Sequence, residues 1–145
     1  MKVHSQTDVG LVRTLNEDAC RTGLLGENGA WAVVCDGMGG ANGGEIASET
    51  AVKSIEEQIL ASYEEDFKSE EMKLMLSTLI FHANSAVYDM AQENESLKGM
   101  GTTIVVAIVL DNVAHIAHAG DSRAYWLHNG NIMQITTDHS MVQEL

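Results

Sequence analysis

The chain has 145 residues, 45% of them hydrophobic and 20% charged, the composition of one globular domain with a core of its own. Its 21 acidic residues outnumber 8 basic ones, for a formal net charge of −13. That balance excludes nucleic acid and anionic membrane surfaces as partners, since both need a basic patch, while it suits cation capture as well as plain solubility. The two cysteines, Cys20 and Cys35, match no zinc spacing and no disulfide framework; they read as reduced thiols in neighbouring strands, close in space. No apolar run approaches the roughly 18 residues that cross a bilayer. Met1-Lys2-Val3-His4-Ser5 lacks the hydrophobic core of a signal peptide, so the expected location is the cytoplasm.

In chain order, residues 2–9 predict a first strand and Arg13 to Asp18 a polar, irregular stretch. Ala19 to Leu25 and Ala30 to Cys35 predict a hairpin around Gly26-Glu27-Asn28-Gly29. The second of these runs stops at Asp36 and opens into Gly37-Met38-Gly39-Gly40, which presents one carboxylate at the edge of the core. Gly43-Gly44 precedes a first helix, whose apolar face is Ala47, Ala51, Val52, Ile55 and Ile59. Ser62 to Lys68 is an acidic loop. Ser69 caps a second helix, with Glu70 and Glu71 well placed against its dipole and a core stripe that includes Met72, Met75, Leu79, Ala83 and Met90. Ile104 to Leu110 is apolar without alternation, as in a central strand buried on both faces. Asp111-Asn112 turns into Val113 to Ala119, a strand runs from Arg123 to Leu127, and Asn129-Gly130 turns it back through Ile132 to Thr136. Asp138-His139-Ser140 opens a last helix. Strands, two long helices and more strands imply an α+β fold with helices on an antiparallel sheet.

Three short acidic motifs lie at strand ends: Arg13-Thr14-Leu15-Asn16-Glu17-Asp18, Asp36-Gly37-Met38-Gly39-Gly40 and Ala119-Gly120-Asp121-Ser122-Arg123. Carboxylate and carbonyl oxygens suit hard cations such as Mg, Mn or Ca. Taken singly, each residue has a plainer reading as well. Asp36 and Asp121 serve as turn residues, Glu17 and Asp18 as solvated loop acids or a cap, and Arg13 as a loop cation or a partner for the surplus acids. His82, His115, His118, His4 and His128 carry no chemistry by position, and His139 reads as structural.

In this order, with two helices between the second motif and the third, the motifs resemble the metal-dependent type 2C serine/threonine protein phosphatases, bacterial members above all. Gly44-Glu45-Ile46-Ala47-Ser48, Gly99-Met100-Gly101-Thr102-Thr103 and Thr137-Asp138-His139-Ser140 extend the likeness from end to end. The resemblance implies an antiparallel β-sandwich flanked by helices. It also implies hydrolysis of phosphoserine and phosphothreonine in proteins, opposing a Ser/Thr kinase, by a water shared between two Mn2+ or Mg2+ ions and without a phospho-enzyme. On that likeness Asp36 bridges both ions and the Gly37 carbonyl binds one. Glu17 and Asp18 sit at the metal site, Asp121 holds a third, weaker ion, and Arg13 clamps the substrate phosphate. Each role fits its residue: carboxylates and a carbonyl are hard-cation ligands, and guanidinium offers a planar fork for phosphate.

Two departures qualify the likeness. Met38 and Ala41 stand where many relatives carry a histidine, so no side chain is an obvious proton donor. The family's catalytic domain also runs about 100 residues further and supplies two more metal-binding aspartates. The expectation is therefore that residues 1–145 are the N-terminal portion of one catalytic domain, the first half to two-thirds of its fold. Such a chain would hold metal weakly, turn over little by itself and pair through open sheet edges. The other reading is a catalytically incomplete module that binds a phosphoprotein or partner subunit without turnover.

Overall fold

The computed structural model describes residues 1–64, 67 and 69–139, without the side chains of residues 40–42 and 69. The expected hairpin is formed by β1 (Asp18–Leu25) and β2 (Gly29–Met38). Two helices follow, α1 (Gly40–Ser62) and α2 (Ser69–Glu93), then a single 3-10 turn whose cap, Asn94, accepts the Ser96 N–H through its side chain. Next come β3 (Gly101–Thr102), β4 (Ile104–Leu110) and β5 (Val113–Ala119). The sheet is antiparallel in the order β1-β2-β4-β5, and β3 carries the pairing of β4 on to the last residues of β2. A separate ribbon pairs β6 (Tyr125–His128) with β7 (Asn131–Gln134). The architecture is α+β, as expected from the order of elements.

Local chemistry accounts for these elements. Asp111 and Asn112 both take positive φ, 46° and 65°, and so do Asn129 and Gly130, 49° and 74°. Those are the conformations that let a two-residue loop match the twist of its flanking strands. Ala47, Ala51, Val52, Ile55 and Ile59 of α1 are all fully buried. They pack with Met72, Met75, Leu79 and Ala83 of α2 against Trp31, Val33, Cys35, Val106 and Ile108 of the sheet, in one continuous core. Both helices lie on one face of the sheet, over alternate residues of each strand.

Several expectations fall differently. Residues 2–9 form no strand and are exposed throughout: an alternating pattern becomes a strand only where a neighbour pairs its amides, and none does so among the described residues. Helix α1 starts at Gly40, so Gly43 and Gly44 lie inside it; they are retained there for close packing, described below. The ribbon strands begin and end at Tyr125–His128 and Asn131–Gln134, shorter than read from hydrophobicity. Strand β4 is central, but its face away from the helices is only partly covered: Val105 is buried, while Ala107 and Val109 are half-buried and neighbouring Val34 and Leu24 are exposed. Met90 is 37% exposed and receives the Thr50 hydroxyl on its sulfur. Cys35 faces the helices, and burial pushes its thiol up to about 12. Cys20 pairs with Val34 and so points to the other face, which rules out a disulfide between the two. The Ser69 cap lies outside the described side chains, and the final helix, from Ser140, lies outside the described residues. No helix among the described residues is long and apolar enough to cross a membrane.

Two leucines of α2 separate packing from surface. Leu79 is 1% exposed and Leu74 is 68% exposed. Leu79→Ala is expected to lower stability by about 2–5 kcal/mol through the cavity it leaves, and Leu74→Ala by no more than about 0.5 kcal/mol. Urea unfolding midpoints at equal slope measure both.

Candidate metal centre

Sheet register assembles the site. Asp18, the first residue of β1, pairs directly with Asp36 near the end of β2. On the other side of Asp36 lies Thr103, which donates its N–H to the Asp36 carbonyl at 2.9 Å and accepts the Asp36 N–H on its hydroxyl at 3.0 Å. Beyond Thr103, the last pair of β4 and β5 is Ile104 with Ala119, so the row continues to Gly120 and Asp121. Four segments distant in sequence thus end in one row, on the face of the sheet away from the helices.

Helix α1 closes the same end from the other side. Gly37 donates its N–H to the Glu17 carbonyl at 3.0 Å, and its Cα meets the Gly44 backbone so closely that a Cβ would fall on the Gly44 carbonyl. A Cβ on Gly44 would in turn fall on the Glu17 carboxylate. The two glycines are there for this backbone-to-backbone approach, which sets the carboxylate of Glu17 against the first turns of α1, where the helix dipole favours negative charge.

Arg13, Glu17, Asp18, Asp36 and Gly37 line one cleft of about 680 Å3, together with Asp8 and Asn16. Partial burial, first, and then the nearby charges of Asp18, Asp121 and Glu17 push the Asp36 carboxyl above the ordinary Asp range; its carboxyl also shares a hydrogen bond with that of Asp18. The other three acids singled out in the sequence therefore all act on Asp36, although Asp121 is not part of the cleft wall. Like charges set opposite each other on adjacent strands are destabilising, and a cation is what would relieve them. The donor set is entirely oxygen, which fits a hard divalent ion. Among the described residues, no three His, Cys, Asp or Glu side chains close on a single point, so ions bound here would also need carbonyl or water ligands. Arg13 is exposed, and the ion pairs found among the described residues engage Arg21 and Arg123 but not Arg13.

Sequence reasoning passed over several residues of the site. Asp8 joins the cleft from the irregular N-terminal stretch, where it caps the Gly10 N–H at 2.7 Å. Asn16 is fixed between the Thr7 hydroxyl and the Asp18 N–H. Outside the cleft, Arg123 grips Asp138 with two nitrogens, at 2.9 and 2.6 Å, and holds that carboxyl below its usual range. His139 stacks on His118 at 4.4 Å and donates its N–H to the Gly120 carbonyl, a structural part as expected. Asp8 carries no local mark, while Asn16, Arg123 and Asp138 stand inside the quoted motifs without a role that their position alone assigns.

Comparison with known proteins gives this geometry its family. The protein phosphatase 2C family model matches residues 12–143. The serine/threonine phosphatase stp of Listeria welshimeri is 36% identical over 148 residues, covering all of this chain and 57% of that protein. PstP of Mycobacterium tuberculosis, a serine/threonine protein phosphatase, is 32% identical over 145 residues and is covered to 26%. Among solved structures, the serine/threonine phosphatase Stp1 of Staphylococcus aureus superposes with a TM-score of 0.86 at 39% identity, over 96% of this chain and 54% of that one. The catalytic domain of PstP in complex with two manganese ions superposes at 0.78 with 33% identity, over 96% and 56%. The chain belongs to the protein phosphatase 2C family. It spans little more than half the length of the Listeria protein.

The raised pKa of Asp36 has a consequence for stability. Folding raises it above the ordinary Asp value of 3.8, so in that window the folded chain holds the proton that the unfolded chain has lost. The contribution is fully present below the window and disappears as pH climbs through it. Without metal at pH 7, Asp36→Asn is therefore expected to melt at a higher temperature than wild type, with the gap closing toward pH 3. A lower melting temperature for the variant at pH 7 contradicts the repulsion.

Proposed function

We propose that this chain supplies the N-terminal part of the catalytic domain of a metal-dependent phosphatase that removes phosphate from phosphoserine and phosphothreonine in proteins. The observation that carries the reading is one cleft lined both by interacting carboxylates and by Arg13, which has no ion-pair partner among the described residues. A phosphate dianion needs both: cations on the acidic side and a planar donor on the other. The names and family of the relatives support the same reaction. Manganese is the proposed cofactor, supported by the ions bound to PstP. Magnesium would suit the same oxygens, and a third ion is assigned to Asp121.

In this proposal Asp36 holds the ions, with the Gly37 carbonyl, Asp18 and Glu17 completing their surroundings. Bound there, they would neutralise phosphate charge and acidify water to a nucleophile at neutral pH. Arg13 orients the phosphate by a bidentate contact. Gly37 and Gly44 keep Asp36 fixed against α1, so that its carboxylate needs no rearrangement during the reaction. Substrates are phosphoproteins, the opposing activity is a Ser/Thr kinase, and the compartment is the cytoplasm. The 145-residue chain by itself is proposed to bind manganese weakly and turn over little, because among the described residues no three His, Cys, Asp or Glu side chains come together as ligands for one ion. The edges of β1 and β5, unpaired among the described residues, favour its association with another copy. A binding module without turnover has no observation in its favour.

In the protein as the cell makes it, Arg13→Ala is expected to lower kcat/KM for a phosphothreonine peptide by roughly 100-fold, equivalent to about 2.7 kcal/mol. Its manganese affinity should stay as in wild type, and Arg13→Lys should recover only part of the loss, lacking the fork. Steady-state phosphate release with and without manganese tests this. Unchanged kinetics for Arg13→Ala would remove the phosphate clamp, and no manganese-dependent release from the wild type would remove the phosphatase reading.

A further inference from the structure

Between Asp36 and Asp121 stands a residue that carries no charge. Thr103, half-buried between β3 and β4, sits opposite Asp36 in the register that continues from one strand to the other, on the same sheet face as Asp18 and Asp36. Its backbone N–H and its hydroxyl both engage the backbone of Asp36, the first donating to the carbonyl and the second accepting the N–H. The same hydroxyl lies 2.6 Å from the Ser122 hydroxyl, in a hydrogen bond that either oxygen can donate. Its methyl group presses on Gly120, where φ is 101° and a Cβ would lie 2.7 Å from the methyl carbon. One side chain thus touches the residue bearing the central carboxylate and the residues on either side of Asp121.

We propose that Thr103 is a positioning residue that sets Asp36 and Asp121 in one geometry, with Ser122 as its second half. The inference rests on the metal reading above. The Thr103 hydroxyl replaces a ladder carbonyl as acceptor for the Asp36 N–H, so the direction in which the Asp36 side chain leaves β2 depends on the rotamer of Thr103. Ser122 fixes that rotamer, and through it the turn that carries Asp121 is referred to β2 and not merely to its own strand. Thr102 adds a third tie, donating its hydroxyl to the Asp36 carbonyl at 3.0 Å, but it reaches nothing beyond β2 and its own neighbour. A purely structural threonine would serve stability through the methyl and leave ion affinity alone. A positioning threonine makes ion affinity follow the hydroxyl.

The test is a manganese titration of the protein as the cell makes it, read by paramagnetic broadening of amide NMR signals. In wild type the signals of Asp36 and Gly37 should broaden first, and those of Asp121 and Ser122 further at the higher manganese that fills the weaker third site. In Thr103→Val, which keeps the shape and deletes the hydroxyl, both midpoints should rise roughly 3- to 10-fold, the size of one lost hydrogen bond. Thr103→Ser should restore both to within about twofold, even though it loses the methyl contact and melts lower. Ser122→Ala should raise the midpoint at Asp121 and Ser122 more than that at Asp36 and Gly37, and it serves if Thr103→Val fails to fold. Midpoints in Thr103→Val or Ser122→Ala equal to wild type would overturn the inference. With Asp36→Asn abolishing the broadening, that outcome would leave the metal reading standing. A wild type that shows no broadening at either place would end both.

Discussion

Two aspartates, Asp18 and Asp36, face each other across the first pair of strands because the hairpin register allows no other arrangement. Every residue from Leu25 and Gly29 outward is paired in sequence, and a slip of one would turn Trp31, Val33 and Cys35 from the core to the open face. The hydrophobic core thus enforces a contact between like charges that electrostatics opposes. Burial and the further charges of Asp121 and Glu17 add to the strain, and Asp36 is left holding its proton more tightly than an ordinary aspartate. Natural proteins accumulate such local conflict where function needs it. A cation bound between such carboxylates would relieve the conflict.

What keeps the site from relaxing is backbone contact. An aspartate at the end of an exposed strand could swing away from its neighbours. Asp36 cannot, since both its N–H and its C=O are bonded to Thr103, and Gly37 is pressed against Gly44 with no room for a methyl group between them. The fully buried face of α1, anchored by Ile55 and Ile59, holds that helix in place from the far end. The core therefore acts on the chemistry at one remove: it fixes a helix, the helix fixes a glycine pair, and the pair fixes a carboxylate. Arg13 is the contrast. It comes from an irregular, exposed stretch tied by few hydrogen bonds, suited to a group that must adjust to a substrate.

Much of this was legible in the sequence, for particular reasons. The four-residue spacing in α1 and the Asn129-Gly130 and Asp111-Asn112 turns are local signals, and local physics decides them. Asp36 was conspicuous because an apolar run ended on it. Asp18 and Glu17 carried no such mark, and only their likeness to a known motif brought them forward. Residues 2–9 misled because an alternating pattern says that a segment can be a strand, not that a partner exists. The start of α1 was misplaced because Gly43 and Gly44 read as a break, whereas Gly44 makes close contact with Gly37 and Glu17, and Gly43 with Met100. Thr103 was invisible as a site residue for the same reason: its role exists only once β2 and the turn after β5 lie on either side of it.

The central claim is that the rim formed by Asp18, Asp36 and Glu17, with the Gly37 carbonyl, is a place where divalent ions bind. Anomalous diffraction from crystals of the protein grown in manganese measures it most directly. The account predicts a manganese peak within the roughly 2.0–2.6 Å reach of a hard-cation ligand from the Asp36 carboxylate. Manganese peaks only at other surfaces, with the Asp36 carboxylate bare at saturating metal, would contradict it.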